Sequence, residues 1–276
     1  MNNITYKNGN VYIDDVKNFD LAMTLDCGQA FRWKEDNGVW SGVAFGKRLK
    51  ISKENESIVF FDTSKEDFEN IWSDYFDFSR DYGKIIDDIK SDEILKKASD
   101  FGYGIRILNQ EPFETLCSFI ISQNNNIPRI KGIIDRLCKK YGQKIDDDLY
   151  SFPDAETLSK LTANDLSDIR MGFRAKYIID ASQKVASGEV NLSDLFSLDT
   201  DTARTELMKI KGVGPKVADC TLLFSLKHFD AFPKDVWIKR AVEVLFPQGL
   251  PECANRYKGI VQQYIFYYSR SGNLNI

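Results

Sequence analysis

Residues 204–227 read Arg-Thr-Glu-Leu-Met-Lys-Ile-Lys-Gly-Val-Gly-Pro-Lys-Val-Ala-Asp-Cys-Thr-Leu-Leu-Phe-Ser-Leu-Lys. A helix is expected to end near Ile210. Lys211-Gly212-Val213-Gly214 then makes a tight connection, and Pro215 suits the first position of a second helix. The glycines permit positive φ and close backbone approach. N–H groups at the start of the second helix can hold a phosphate, aided by the helix dipole. Gly212, Val213 and Gly214 are thus the candidate phosphate-binding turn of a helix-hairpin-helix. A packed helix pair with two turn glycines would give a similar pattern. The longer run Lys-Gly-Val-Gly-Pro-Lys-x-Ala-Asp is far more specific than a bare Gly-x-Gly.

Charge follows the same geography. The 276 residues carry 37 basic and 41 acidic side chains, net −4, which argues against a general polyanion sponge. From Lys209 to Arg240, however, there are seven basic and three acidic residues, net +4, so this stretch is a candidate anion site. Residues 62–100 carry twelve acidic and six basic residues, net −6, and read as a solvated face turned away from any polyanion. The 43% apolar and 28% charged composition is that of a globular chain and excludes wholesale disorder or a coiled-coil rod.

No run approaches 18 consecutive apolar residues, so no membrane span is expected. Met1-Asn2-Asn3-Ile4-Thr5-Tyr6 has no basic or apolar segment of a secretory signal. The five cysteines, Cys27, Cys117, Cys138, Cys220 and Cys253, are widely spread and form no CxxC pair; His228 is the single histidine. A disulfide scaffold, a zinc site, a four-cysteine iron–sulfur cluster and a Ser-His-Asp triad are all disfavoured. The thiols fit a reducing cytoplasm, the expected location.

Towards the N-terminus, the first sixty residues read as a twisted antiparallel sheet. Leu21–Leu25 is a short apolar run, and Gln29–Lys34 places Phe31 and Trp33 two apart on one face. Glu35-Asp36-Asn37-Gly38 carries the Asn-Gly signal of a two-residue hairpin. Residues 39–45, 47–51 and 58–61 continue the strand pattern. Ser64 is a helix N-cap candidate, and from there to about residue 270 the apolar spacing is helical.

Four further segments complete a resemblance: Cys27-Gly28-Gln29-Ala30-Phe31-Arg32-Trp33, Ser122-Gln123-Asn124-Asn125-Asn126-Ile127, Gly172-Phe173-Arg174-Ala175-Lys176-Tyr177 and Phe232-Pro233-Lys234-Asp235-Val236. With residues 204–227 and the Gln262/Phe266 pair they span positions 27–266. The chain resembles the helix-hairpin-helix DNA glycosylases, and within them the branch that excises 8-oxoguanine; the triple-Asn element is specific to that branch.

Read alone, Lys216 is either a nucleophile or a phosphate-binding lysine, and Asp235 is an N-cap candidate for the helix that follows. The resemblance implies that Lys216 attacks the sugar C1′ and forms a Schiff base. Nearby cations such as Lys209, Lys211 and Lys234 would favour the free amine. Asp235 would stabilise oxocarbenium-like charge. Cys220, one turn after Lys216, and Phe266 would sandwich the flipped base, and Gln262 would read its Watson–Crick edge; Cys220 and Phe266 are otherwise ordinary core residues. Gly28 would present its carbonyl to N7–H of 8-oxoguanine, a donor that guanine lacks; its bland reading is a strand bulge. Asn124 would fill the gap left by base flipping, Arg129 and Arg174 would read the orphaned cytosine, and Phe173 would stand at the wedge position beside it. Phe173 stands where eukaryotic relatives have Tyr, and Trp237 where they have His, which puts the opposite-base preference and a phosphate contact in doubt.

The expected fold is therefore α+β: an N-terminal twisted antiparallel β-sheet domain (residues 1–100) and a glycosylase domain (101–276) of two mainly helical subdomains. Its expected partner is damaged double-stranded DNA, bound by a monomer away from any membrane. No cofactor or catalytic metal is required, although the resemblance allows a structural monovalent cation at the hairpin. The rivals are a glycosylase for another damaged or mispaired base and a non-catalytic DNA-binding module. Superfamily members for oxidised pyrimidines or mispaired adenine usually carry a C-terminal iron–sulfur cluster. Only Cys253 lies in that region.

Overall fold

The computed structural model describes residues 3–271. Met1 and Asn2, on which the reading of the N-terminus partly rests, lie outside them. Six strands form one antiparallel sheet in the order β1-β2-β6-β5-β4-β3: β1 (Asn3–Lys7), β2 (Asn10–Asp14), β3 (Lys34–Asp36), β4 (Val39–Ala44), β5 (Lys47–Glu54) and β6 (Ser57–Phe61). The Asn-Gly hairpin joins β3 to β4, with Asn37 at φ +50° and Gly38 at φ +82°, as its two left-handed residues require. Val11 pairs with Phe60, Phe60 with Ile51, and Ile51 with Trp40, so one row of buried side chains crosses four strands.

Two expectations in this region are corrected. Leu21–Leu25 is a helix, α1, because Asp20 caps it by accepting from the Met23 N–H, and because Leu21, Thr24 and Leu25 share one buried face. Residues 29–33 are not a strand. Phe31 and Trp33 enter different cores: Phe31 packs among the helices and Trp33 under the sheet. The Trp33 ring lies where a side chain on Gly42 would be, 2.6 Å from its built Cβ position, and its Nε1 donates to Tyr75 Oη at 2.8 Å. Residues 27–33 thus tie the two cores together.

Ser64 caps α2 (Lys65–Asp67), which continues through a π turn (Phe68–Trp72) into α3 (Ser73–Tyr75). The helical part comprises α4 (Tyr82–Ile89), α5 (Glu93–Phe101), α6 (Pro112–Ser122), α7 (Ile127–Tyr141), α8 (Ala155–Ser159), α9 (Arg174–Ala186), α10 (Thr200–Leu207), α11 (Pro215–Ser225), α12 (Val236–Leu245) and α13 (Lys258–Arg270). A small hairpin, β7 (Lys144–Asp146) with β8 (Leu149–Tyr150), is a further element the apolar pattern does not announce. From Val217 to Ser225 every residue of α11 is buried, and α6 is nearly as enclosed. These two helices pack together at the centre. The helical groups share one continuous apolar core, and α4 and α5, which lie almost wholly before residue 101, contribute Tyr82, Ile86, Leu95 and Ala98 to it.

Candidate active site

The hairpin forms as the glycines dictate. Gly212 has φ +82°, and any side chain there would strike the Tyr177 ring of α9, 2.4 Å from its built Cβ. The Lys211 N–H donates to Asp180 Oδ2 (2.7 Å) and the Val213 N–H to the Ile210 carbonyl (3.0 Å). Gly214 is the N-cap of α11 and supplies no side-chain cap, with Pro215 at the first helical position. The N–H groups of the first turn stay open to an outside acceptor.

At the second position of α11, Lys216 reaches a small void of about 40 Å³, lined also by Gly28, Cys220, Asp235, Gln262 and Phe266. Six residues singled out in the sequence, scattered over positions 28–266, therefore meet at one point. Gly28 has φ +89°, and a Cβ there would come within 3.6 Å of Phe266 Cε1. Gln262 is 4% exposed and its Oε1 has no partner among the described residues, so its hydrogen-bonding capacity is left for an occupant. Burial pushes the Cys220 thiol up to about 11, with the neighbouring Lys216 offsetting part of that effect. It offers a neutral, polarizable face. Asp235 is the N-cap of α12: one oxygen accepts from the Ile238 N–H at 2.8 Å. Cap and pocket carboxylate are thus two roles of one side chain.

Sequence reasoning missed Phe119, Phe224, Pro233 and Gln263, which complete the lining. Phe119 stacks on Phe224 (5.5 Å, 22°), and Lys216 Nζ lies 4.9 Å from the Phe119 ring centroid. Nothing in the spacing of α6 separates Phe119 from its core neighbours. Lys209 is engaged elsewhere, paired with Glu206 at 2.7 Å. A void of about 40 Å³ admits little more than water. A purine enters only if the lining, such as the half-buried Phe266, moves.

A second cluster gathers Asn124, Arg129, Phe173 and Arg174. Asn124 is exposed at φ +47°, Asn125 Nδ2 donates to the Ile121 carbonyl, and Asn126 caps α7 through the Arg129 N–H. Arg174, 3% exposed, donates to the carbonyls of Gln123, Asn124 and Met171. Burial, and then the nearby Arg129, lower its pKa. Phe173, 51% exposed, lies against the Arg174 guanidinium at 4.5 Å. In this state Arg174 braces the loop instead of presenting free donors, and the side chain of Arg129 is the exposed one.

Residues 11–116 match the family model for the 8-oxoguanine DNA glycosylase N-terminal domain, and residues 117–249 that for the HhH-GPD superfamily of base excision DNA repair proteins. The N-glycosylase/DNA lyase of Saccharomyces cerevisiae is 36% identical over 86% of this chain and 70% of its own length. The chain belongs to the 8-oxoguanine DNA glycosylase family. A probable N-glycosylase/DNA lyase of Methanothermobacter thermautotrophicus is 30% identical over 94% of this chain and 96% of its own. The Clostridium acetobutylicum 8-oxoguanine glycosylase/lyase, solved with double-stranded DNA containing cytosine opposite 8-oxoguanine, is 42% identical; the match covers 99% of each chain with a TM-score of 0.92. Within the 8-oxoguanine DNA glycosylase family, the α+β architecture of the chain and its hairpin are therefore in the expected setting.

Proposed function

We propose that this chain is a bifunctional base excision repair enzyme that removes 8-oxoguanine from duplex DNA and then cleaves the strand at the abasic site. The observation that carries the reading is the convergence of Lys216, Asp235, Gly28, Cys220, Gln262 and Phe266 on one slot beside the phosphate-binding hairpin. The Lys216 amine attacks C1′. The C1′–N9 bond breaks, and its electron pair leaves with the base, which takes up a proton. The Asp235 carboxylate stabilises the positive charge that develops on the sugar and accepts a proton as the new C–N bond forms. Opening of the sugar gives a Schiff base, and loss of a 2′ proton then expels the 3′ phosphate. Gly28 supplies selectivity, because its carbonyl accepts from N7–H of the lesion and would face a lone pair in guanine. That mismatch costs about 1–3 kcal/mol when buried.

One copy supplies every residue of the slot, so a monomer suffices. The test is borohydride trapping on duplexes carrying 8-oxoguanine or guanine opposite cytosine. Wild type should become covalently attached to the lesion duplex alone, and Lys216→Gln to neither while still binding DNA. Trapping that persists in Lys216→Gln would remove Lys216 as the nucleophile. No trapping by wild type would leave a DNA-binding module.

A further inference from the structure

Gln262 and Gln263 are consecutive on α13, about 100° apart around the helix. The first lines the slot with a free oxygen. The second, 2% exposed, reaches across 236 positions of sequence, and its Nε2 donates to the Cys27 carbonyl at 3.2 Å. On the other side of Gly28, Gln110 Nε2 donates to the Gln29 carbonyl at 2.8 Å. The Gln29 side chain is itself fixed at three points, donating to the Thr24 and Arg106 carbonyls and accepting from the Leu108 N–H. Both neighbours of Gly28 are thus tied down by side-chain amides, one buried and one half-buried, while the carbonyl of Gly28 has no protein partner among the described residues.

A glycine at φ +89° has the freest backbone of any residue. Unrestrained, its carbonyl would swing, and a swinging acceptor cannot tell a donor from a lone pair. The geometry points to Gln263 as a positioning residue for lesion selectivity. By holding the Cys27–Gly28 peptide, it aims the Gly28 carbonyl at the place where N7–H of the flipped base arrives. This rests on the proposed reading of Gly28 as the group that discriminates 8-oxoguanine from guanine.

The test compares two single-turnover rates in one duplex context: excision of 8-oxoguanine and cleavage at a preformed abasic site, which has no base to read. Gln263→Met keeps the length of the side chain and removes the donor. The ratio of the two rates should fall about 5–150-fold, the equivalent of one lost buried hydrogen bond. Gln263→His, which keeps an N–H, should recover most of it. A purely structural role would lower both rates together and leave the ratio unchanged, which would overturn the proposal. If Gln263→Met does not fold, Gln110→Met releases the same turn at the Gln29 carbonyl and should lower the ratio likewise; an unchanged ratio there overturns the proposal too. A wild type that excises guanine as fast as 8-oxoguanine would instead overturn the reading of Gly28 itself.

Discussion

Arg174 donates from its guanidinium to the main-chain carbonyl of Asn124 at 3.0 Å, across 50 residues of sequence. With the bonds to Gln123 and Met171, this makes a buried cation the brace of the loop that Asn124 heads. Arg174→Ala strips those carbonyls of their partner and should cost about 1–3 kcal/mol of stability, read as a lower urea midpoint, together with slower excision. Arg129→Ala removes an exposed side chain and should change stability by no more than about 0.5 kcal/mol.

The opposite base separates the same two arginines. Wild type should excise 8-oxoguanine opposite cytosine on the order of 3–30-fold faster than opposite adenine, since bound DNA would bury the exposed Arg129 donors and a wrong base would leave them unpaired. Arg129→Ala should flatten that preference at unchanged stability. Equal wild-type rates opposite all four bases would show that Arg129 does not read the orphan base.

Asp235→Asn tests the carboxylate without disturbing the helix, because Asn caps about as well as Asp. Melting should be nearly unchanged, while single-turnover excision should fall by orders of magnitude. Asp235→Ala should in addition lose about 1 kcal/mol of cap. An Asn variant as fast as wild type would reduce Asp235 to its bond with the Ile238 N–H.

Phe266→Ala removes one wall of the slot. Stacking of a base on an aromatic ring contributes about 1–3 kcal/mol, so excision under single-turnover conditions should slow by roughly 5–150-fold. A change well under threefold would make Phe266 a packing residue only.

A pH effect is built in at the start of α6. Burial, and then the neighbouring Glu114, raise Glu111 to about 7, with Arg32 opposing them. A carboxyl whose pKa rises on folding holds its proton more tightly in the folded state. Its contribution to stability is therefore lost as pH rises from the ordinary carboxylate range through about 7. Glu111→Gln should melt higher than wild type at pH 8, with a smaller difference at pH 5. Parallel melting curves across that range would remove Glu111 as the cause.

What the sequence determined by itself was local. The Asn37-Gly38 turn, the Ser64 cap, the Pro215 start of α11 and the one-turn spacing of Lys216 and Cys220 each depend on the φ/ψ preferences of a few adjacent residues, which neighbours in sequence settle. The resemblance supplied the candidates at 28, 124, 174, 235, 262 and 266. What only tertiary structure decided is where distant segments meet. Phe31 and Trp33 look like one face of a strand, yet they part into two cores because the chain between the sheet and the helices has apolar surface on both sides to fill. Phe119 is a wall of the slot, and Gln263 is tied to Cys27 instead of being a second copy of Gln262. Such contacts follow from the burial of whole elements against one another. A buried amide or guanidinium takes whichever carbonyl the packed chain brings to it, and no spacing along the sequence records which one that is.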